Sequence, residues 1–279
     1  MNPAHTLSPD DPRLEPFRAV GDPELVRRRG QFVAEGRRVV AALLADPGFT
    51  VERLLLSESA YENLSGALNH HAGDVEVIVV GGPSDLRDVT GYRFHQGCLA
   101  LARRPAQRGI DDLPELEAEG SWAVVGLEGV TNPDNVGTIF RSASAFGARA
   151  VLLSPGCAHP LYRKALRTSM GTVLSLPYAH PDPWPAAFGQ LQMGGIQVFA
   201  LTPAEDAEDL DEALRDLPTP SRVVLLLGSE ERGLEAATLD QADRRVRIPM
   251  APGADSLNVA ATAAIALQRV YAHLSRVPR

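Results

Sequence analysis

Apolar and polar positions divide the chain into two parts with different patterns. In the first part, FVAEGRRVVAALLAD has the apolar spacing of a helix, while VERLLLS, VEVIVVG and GCLALAR have the length and composition of strands. These segments predict a small N-terminal α/β domain over residues 1–106. Residues 107–120, QRGIDDLPELEAEG, are polar and acidic with interrupting Pro and Gly, which is typical of a linker.

The second part, residues 121–279, contains apolar, β-branched runs separated by segments of helical spacing. The runs are WAVVGLE, ARAVLLS, IQVFALT, RVVLLLGSE and a short VRIPM. Strands that are apolar on both faces and alternate with helices indicate a parallel sheet, so the expected fold class is α/β. The last segment, SLNVAATAAIALQRVYAHLSR, predicts a long helix with Ser256 as its N-cap.

Composition and charge narrow the class of protein. With 279 residues, 44% hydrophobic and 22% charged, the chain has the make-up of a globular protein that buries a sizeable core. The net charge of −8 argues against nucleic-acid binding over the whole surface, because phosphate contacts need clustered Lys and Arg. Two local basic clusters exist, and taken alone each is equally well explained as a solvated helix face. They are Arg27, Arg28, Arg29, Arg37 and Arg38, and Arg163, Lys164 and Arg167 beside His159.

The sequence shows no targeting signal, and its two cysteines have no pattern typical of a disulfide framework or a metal site. The first residues lack the basic and apolar regions of a signal peptide, and no run of about 18 apolar residues occurs. We therefore expect a cytoplasmic protein without a membrane span. Cys98 and Cys157 have neither a CxxC pattern nor a His-rich neighbourhood, so we expect buried free thiols and no metal site.

The first segment that could carry chemistry is LEGVTNPDNVGTIFRSASAFGARAVLLS. Its apolar strand ends in a loop with Asn132 and Asn135, and the helix that follows carries Arg141. Open α/β sheets bind ligands at the carboxyl ends of their strands, so this loop lies where a site is expected. A plain turn is the competing interpretation, because Asn, Pro, Asp and Gly are common turn formers.

The second segment, VVLLLGSEERGL, is another strand that runs directly into Gly228, Ser229 and Glu230. A glycine at this point allows the backbone to come close to a ligand. The alternative for Glu230 is a capping role at the helix expected near Leu234.

The third segment is VRIPMAPGADSLNVAATAAIAL. A Gly and Pro loop leads to Ser256, Leu257 and Asn258 at a helix start, where backbone N–H groups and short polar side chains converge. An N-cap role explains Ser256 alone, but it does not explain Asn258 two residues later.

Together, the patterns N-x-x-N-x-G-x-x-x-R, L-G-S-E-x-x-G-L and I-P-M followed by S-L-N-V resemble the three motifs of SpoU/TrmH-type RNA ribose methyltransferases. The resemblance covers about residues 121–275. It implies transfer of a methyl group from S-adenosylmethionine to a ribose 2′-hydroxyl, without a metal. By motif position it implies a set of catalytic residues, which are Asn135, Arg141, Glu230, Ser256 and Asn258. The cofactor contacts that it implies are Gly228, Ile248, Met250 and Leu257.

The resemblance also implies roles for these side chains and a wider architecture. The family pattern casts Arg141 as the activator of the 2′-hydroxyl, but a guanidinium ordinarily stays protonated in proteins. We therefore expect Arg141 to orient the ribose and an adjacent phosphate, with Glu230 and Asn135 fixing the arginine and a phosphate oxygen accepting the proton. Ser256 and Asn258 would hold the hydroxyl or shape the cofactor loop. The C-terminal domain would carry a deep trefoil knot and form a homodimer. One departure from the family pattern is Ala260, where many relatives carry a second Ser, and we expect it to affect helix packing more than catalysis.

For the RNA substrate, the N-terminal part resembles the family's small substrate-binding domain of the L30e-like kind, with the similar stretch TGYRFHQGCLALARRP. The basic residues of HPLYRKALRTSMG lie beside Tyr162, a combination suited to phosphate contacts and base stacking. We expect both basic clusters and Tyr162 to contact RNA. Ribosomal RNA is favoured over transfer RNA by analogy with the ribosomal branch of the family.

Two other functions remain as alternatives. A relative that binds RNA or cofactor without turnover is disfavoured by the intact motif residues. A nucleotide-dependent oxidoreductase would need a G-x-G-x-x-G fingerprint, which the sequence lacks.

Overall fold

A computed structural model describes residues 4–5, 11–18, 21–71, 74–81, 90 and 97–275. The chain divides into two compact units, Met1–Ala106 with His159–Leu174 and Gln107–Ala158 with Ser175–Arg279. The sequence places residues 159–174 in the C-terminal domain, whereas the structure groups them with the first unit. Residues 91–96, within the stretch that resembles the substrate-binding domain, lie outside the described residues.

Strands and helices alternate along most of the described chain. The strands are β1 (Ala4–His5), β2 (Gln31–Glu35), β3 (Val51–Ser57), β4 (Glu76–Val80), β5 (Cys98–Arg103), β6 (Trp122–Leu127), β7 (Val151–Leu153), β8 (Tyr178–Ala179), β9 (Gln197–Leu201), β10 (Glu208–Asp209), β11 (Arg222–Leu227) and β12 (Arg244–Arg247). The α-helices are α1 (Arg37–Ala45), α2 (Glu58–His70), α3 (Pro133–Ala145), α4 (Arg163–Thr168), α5 (Thr172–Ser175), α6 (Phe188–Met193), α7 (Leu210–Arg215), α8 (Ala236–Gln241) and α9 (Val259–Leu274). Short 3-10 turns lie over Pro12–Phe17, Ile110–Asp112 and Pro114–Leu116, and a π-helical turn lies over Glu24–Arg28.

The first unit is built on a mixed sheet with the strand order β1-β4-β3-β5-β2. Strand β3 pairs in parallel with β4, while β5 runs antiparallel to both β3 and β2. Its core includes Phe17, Val33, Leu55 and Ile78, all essentially inaccessible to solvent. The segment 159–174 belongs to this unit because α4 packs against β2.

The second unit contains a parallel sheet with the order β10-β12-β9-β11-β6-β7-β8. Every neighbouring pair in it is parallel, which confirms the fold class expected from the apolar runs. Buried side chains such as Val124, Leu152, Val198 and Val224 form its core. The parallel pairing of β11 with β6 brings the carboxyl ends of these two strands side by side.

The helix predicted from residue 32 begins later than expected. Residues Gln31–Glu35 form β2, and α1 starts only at Arg37, after Gly36 with a φ of 99°. Phe32, Val33 and Ala34 are consecutive and fully buried, so pairing with β5 satisfies them better than a one-sided helix would. The helical prediction was therefore wrong for these residues.

The predicted linker is partly packed into the second unit. Leu113 and Leu116 are buried in the same core cluster as Trp122, whose indole N–H donates to the carbonyl of Ala118 at 2.9 Å. Two apolar residues are too few to produce a periodic signal in a polar segment, so the sequence did not indicate this packing. Separately, no helix within the described parts of the chain is long and apolar enough to cross a membrane.

Candidate active site

Three separated segments meet at the carboxyl edge of the parallel sheet. Leu127 lies opposite Leu227 in the β6–β11 pair, and the N–H of Glu128 donates to the carbonyl of Leu227 at 2.9 Å. The loop after β6 and the turn after β11 therefore start from adjacent points. The predicted location of the site, at strand ends, follows from this register.

The start of α3 presents Asn135 toward the turn after β11. The side chain of Asn132 caps the helix by accepting from the N–H of Asp134 at 2.9 Å, and Pro133 occupies the first helical position. Asn135 is thus held in the first helical turn. Its side-chain amide donates a hydrogen bond to the carboxylate of Glu230.

The turn of residues 228–234 is closed by its own backbone. Ser229 and Gly233 exchange two backbone hydrogen bonds, of 3.2 and 2.9 Å. A Cβ atom on Gly228 would lie 2.0 Å from the carbonyl carbon of Gly233. The glycine is therefore needed for this turn to close. We expected this glycine to let the backbone come close to a ligand. Gly228 does line the cavity described below, but its close contact with Gly233 also excludes a side chain here.

Glu230 lies in this turn and bonds to Asn135. Helix α8 begins at Ala236 with Glu235 as its N-cap, so the alternative capping role for Glu230 is not observed.

Asn258, and not Ser256, is the N-cap of α9. Its side-chain oxygen accepts from the N–H groups of Ala260 and Ala261 at 2.9 and 3.3 Å. Its amide nitrogen donates to the side-chain oxygen of Asn135 at 3.2 Å. Ser and Asn are comparably good caps, so sequence preference could not choose between them, and the prediction for Ser256 was wrong. Ala260 is buried, in agreement with a packing role.

Arg141 is not part of this arrangement. It is exposed and, within the described residues, makes no hydrogen bond or ion pair. Six residues along α3 correspond to a rise of about 9 Å and a rotation of about 120° away from Asn135. The structure therefore lacks the predicted contacts of Arg141 with Glu230 and Asn135. Instead, Glu230, Asn135 and Asn258 form one hydrogen-bonded network.

A cavity of about 480 Å³ opens beside this hydrogen-bonded network. All four predicted cofactor contacts line it, which are Gly228, Ile248, Met250 and Leu257. Glu230 and Ser256, from the predicted catalytic set, line it too. Its volume lies within the range of small-molecule sites, and aliphatic side chains form much of its wall.

One wall of the cavity was not predicted from the sequence. Leu201, Thr202 and Pro203, at the end of β9, line it too. Strand β9 pairs with both β11 and β12, so its carboxyl end reaches the same edge of the sheet. The signal was present in the sequence as IQVFALTP, a third apolar run that ends in Thr and Pro.

Comparison with known proteins identifies the family. The family model of the SpoU rRNA Methylase family matches residues 123–268. The chain belongs to this family. An uncharacterised tRNA/rRNA methyltransferase of Mycobacterium bovis is 38% identical over 262 residues, covering 92% of this chain and 88% of that protein.

Two further relatives have more specific names. The 23S rRNA (guanosine(2553)-2′-O)-methyltransferase RlmP of Bacillus subtilis is 27% identical over 84% of this chain and 86% of its own. The crystal structure of the SpoU methyltransferase AviRb from Streptomyces viridochromogenes, in complex with AdoMet, matches with a TM-score of 0.78 at 25% identity. That match covers 96% of this chain and 100% of AviRb.

The SpoU motifs do not decide which residues face RNA, and the first unit gives a mixed result. Tyr162 is only 8% exposed, so the predicted base stacking by its ring is not possible in this conformation. Arg163 forms an ion pair with Asp22 at 3.2 Å, and its backbone N–H also donates to Asp22. The contacts between Arg163 and Asp22 hold the 159–174 segment in the first unit.

The other predicted RNA contacts differ in how exposed their charge is. Arg29 pairs with both oxygens of Glu15, at 2.8 and 3.0 Å, and Arg28 pairs with Glu24 at 3.2 Å. Arg37 is half-buried and reaches the hydroxyl of Ser59 at 3.3 Å. Besides Arg29, which Glu15 neutralises, five of the predicted RNA contacts are exposed. They are Arg27, Arg28, Arg38, Lys164 and Arg167.

The two cysteines are free and buried, as predicted. Burial raises the pKa of the Cys98 thiol to about 12, and burial likewise raises the pKa of Cys157. Within the described parts of the chain, no group of His, Cys, Asp and Glu has an arrangement that could hold a metal ion.

Proposed function

We propose that this protein transfers a methyl group from S-adenosylmethionine to the 2′-hydroxyl of a ribose in RNA. The observation that carries the proposal is the cavity. It is lined by the motif residues of the SpoU family and bordered by the hydrogen-bonded network of Glu230, Asn135 and Asn258. A cavity of about 480 Å³ with apolar walls suits an adenosine-containing cofactor. The complex of AviRb with AdoMet supports the same choice of cofactor.

Bound S-adenosylmethionine would supply a methyl group that is activated for in-line displacement by its sulfonium charge. The protein's contribution is alignment, because holding the reactants in line removes much of the entropic barrier. Asn135 and Asn258, fixed by Glu230 and by the start of α9, would hold the ribose beside the cavity. Ser256 would hold the hydroxyl or shape the cofactor loop. Arg141, which is exposed, would bind an adjacent phosphate, and a phosphate oxygen would take the hydroxyl proton.

We propose ribosomal RNA as the substrate, with transfer RNA as the alternative. The name of the Bacillus subtilis relative, a 23S rRNA methyltransferase, supports this choice. The exposed arginines and lysine of the first unit are the proposed phosphate contacts, since only clustered positive charge gives an acidic protein RNA affinity. Because the substrate is RNA, we propose the cytoplasm as the place of action.

We also propose that the protein acts as a homodimer. The solvent side of α9 carries Ala261, Ile265, Gln268 and Tyr271 in a single stripe, and Ile265 and Tyr271 are 36% and 50% exposed. Large apolar side chains aligned on one helix face commonly mark an interface. Sedimentation equilibrium should give twice the chain mass, and Ile265→Glu should shift the equilibrium toward the monomer. A monomeric wild-type protein at micromolar concentration would overturn this proposal.

The proposed activity can be tested with purified protein, labelled S-adenosylmethionine and total RNA from a strain that lacks the gene. The labelled RNA is separated by size and digested to nucleosides, which are identified by mass spectrometry. We expect label in ribosomal RNA, carried by a 2′-O-methylated nucleoside. Label in transfer RNA would favour the alternative substrate, and label on a base would overturn ribose methylation. Cofactor binding without transfer to any RNA would indicate a non-catalytic relative.

A further inference from the structure

Glu128 is a buried acidic residue that neither the motif roles nor the proposed mechanism uses. It follows β6 directly and is only 7% exposed. Its Oε1 accepts from the indole N–H of Trp184 at 2.6 Å and from the hydroxyl of Thr238 at 2.5 Å. Its Oε2 accepts from the backbone N–H of Glu235 at 2.8 Å. A buried carboxyl group with three donors is fully engaged in holding its partners.

Two of these donors belong to the start of α8. Glu235 is the N-cap of α8, and Thr238 lies within this helix and is fully buried. Leu234, which directly precedes Glu235, lines the cavity, and so does Leu239 within α8. Glu128 therefore bonds to the element that contributes Leu239 to the cavity wall, although Glu128 does not itself line the cavity.

The third donor connects Glu128 to the segment before α6. The Trp184 ring packs on Phe188, with ring centroids 4.6 Å apart. It also lies against Gly126 in β6, where a Cβ would be 3.5 Å from the ring. The Glu128 carboxyl group, which directly follows β6, thus connects this strand with the Trp184 segment and with α8.

We infer that Glu128 is a positioning residue for methyl transfer, which sets the wall of the cofactor cavity by holding α8 through Glu235 and Thr238. This inference rests on the proposed function. Its consequence is specific to cofactor affinity, because Glu128 contacts neither Asn135 nor Asn258, which face the RNA ribose in the proposed mechanism.

Glu128→Gln is the sharpest variant. Glutamine has the same shape, but one of its acceptor positions becomes an NH2 group, which would face either the N–H of Glu235 or the donors Trp184 and Thr238. At least one buried donor then loses its acceptor, so we expect the Kd for S-adenosylmethionine to rise about tenfold. At saturating cofactor, kcat should stay within about threefold of the wild-type value.

A matched control separates positioning from a general loss of stability. Ser221 is a buried hydroxyl residue just before β11, at the opposite end of the same parallel sheet, and its hydroxyl donates to the carbonyl of Pro218. Ser221→Ala should lower the melting temperature without changing the Kd for S-adenosylmethionine. Thr238→Val removes a single donor at similar volume, and should raise the Kd by a smaller factor than Glu128→Gln. Thr238→Val also tests the inference if Glu128→Gln does not fold.

The experiment combines calorimetric titration of S-adenosylmethionine with the NMR signals of the two tryptophan indole N–H groups. We expect the Trp184 indole proton to move upfield in Glu128→Gln, because its acceptor is either lost or changed from a carboxylate to a neutral amide oxygen. Weaker cofactor binding should accompany this shift. An unchanged Kd in both Glu128→Gln and Thr238→Val overturns the inference, as does an equal loss of affinity in Ser221→Ala. A wild-type protein that binds no S-adenosylmethionine overturns the proposed function itself, and this inference with it.

Discussion

Asn135 is the residue that joins the three motif segments into one site. Its amide group donates to Glu230 in the second segment and accepts from Asn258 in the third. An asparagine can do both because its side chain carries a donor and an acceptor at once. Neither aspartate nor alanine can replace both contacts.

Replacing Asn135 by alanine should therefore disrupt alignment more than cofactor binding. We expect kcat for methyl transfer to fall roughly 100-fold, because small displacements of reacting groups have effects of this size. The measurement is single-turnover methylation at saturating cofactor, with the Kd for S-adenosylmethionine measured separately. Thr138→Ala is the control, since Thr138 is exposed on the same helix and its hydroxyl donates to the carbonyl of Asp134. Equal rates for Asn135→Ala and wild type would remove Asn135 from the site.

Asn258 allows its two functions to be separated. Asn258→Asp keeps the acceptor that caps α9 but loses the donor to Asn135, whereas Asn258→Ala loses both. We expect Asn258→Asp to retain thermal stability and lose activity, and Asn258→Ala also to lose about 1 kcal/mol of stability. Denaturant unfolding and methylation assays on both variants measure this. Full activity in Asn258→Asp would show that the contact to Asn135 is dispensable.

At the residue scale, the motif positions locate the cavity where backbone position alone decides which residues line it, while contacts with the cofactor stay a prediction. Gly228, Ile248, Met250 and Leu257 all line the cavity, as the motif positions imply. The separation of Arg141 from Asn135 follows from their six-residue spacing on one helix, but the family resemblance, and not this spacing, led us to expect that the two side chains meet. Glu128 escaped notice because its three partners lie 56 to 110 positions away in the sequence.

At the level of elements, the turn after β11 is the most tightly constrained part of the site. Gly228→Ala would place a Cβ against the backbone of Gly233 and force the turn open. We expect a loss of about 1–3 kcal/mol in the free energy of unfolding, together with weaker cofactor binding. Gly189→Ala in α6 is the control, since its Cβ would meet nothing nearer than 3.8 Å. Calorimetric melting and titration compare the two, and equal stability would show that the turn tolerates a side chain.

The strands of the second unit were predictable because they are apolar on both faces and of strand length. VVLLL and AVVGL admit few other interpretations once helices flank them. Boundaries were less predictable, as with β2 and α1, which only Gly36 separates, so that the whole segment FVAEGRRVVAALLAD fits helical spacing. The start of α9 was misplaced by two residues because Ser256 and Asn258 are both competent caps.

At the scale of the whole molecule, the first unit is held by ion pairs that depend on pH. Hydrogen bonds from Arg13 lower the pKa of Asp11 to about 2, and those from Arg29 lower the pKa of Glu15. Burial alone would raise the pKa of Glu76, but hydrogen bonds from Arg53 and Arg13 outweigh it, and the pKa is lowered. Depressed pKa values stabilise the fold above the ordinary values of 3.8 and 4.5.

This stabilisation should be lost as the pH falls from about 4.5 to about 2, as these carboxylates become protonated. Circular dichroism in denaturant should show the first unit unfolding more readily over this range, and Glu76→Gln should reduce the dependence. Both tryptophans lie in the second unit, so their fluorescence reports that unit separately. Glu62→Gln, at an exposed site on α2, is the control. An unchanged unfolding midpoint between these pH values would contradict the account.

The sequence predicted a boundary near residue 106 but could not assign residues 159–174 to the first unit. That assignment depends on the packing of α4 against β2 and on the Arg163–Asp22 ion pair, which join positions about 140 apart. The trefoil knot stays a prediction, because local patterns carry no information about how the chain threads.

We propose that the three segments form one site that methylates a ribose in RNA. The most direct test is to map 2′-O-methylated positions across all RNA in a strain that lacks the gene, in its parent, and in strains that carry the wild-type gene or Asn135→Ala. We predict that a ribose methylation in ribosomal RNA disappears with the gene, returns with the wild-type copy and stays absent with Asn135→Ala. An unchanged methylation map in the strain without the gene would contradict the account.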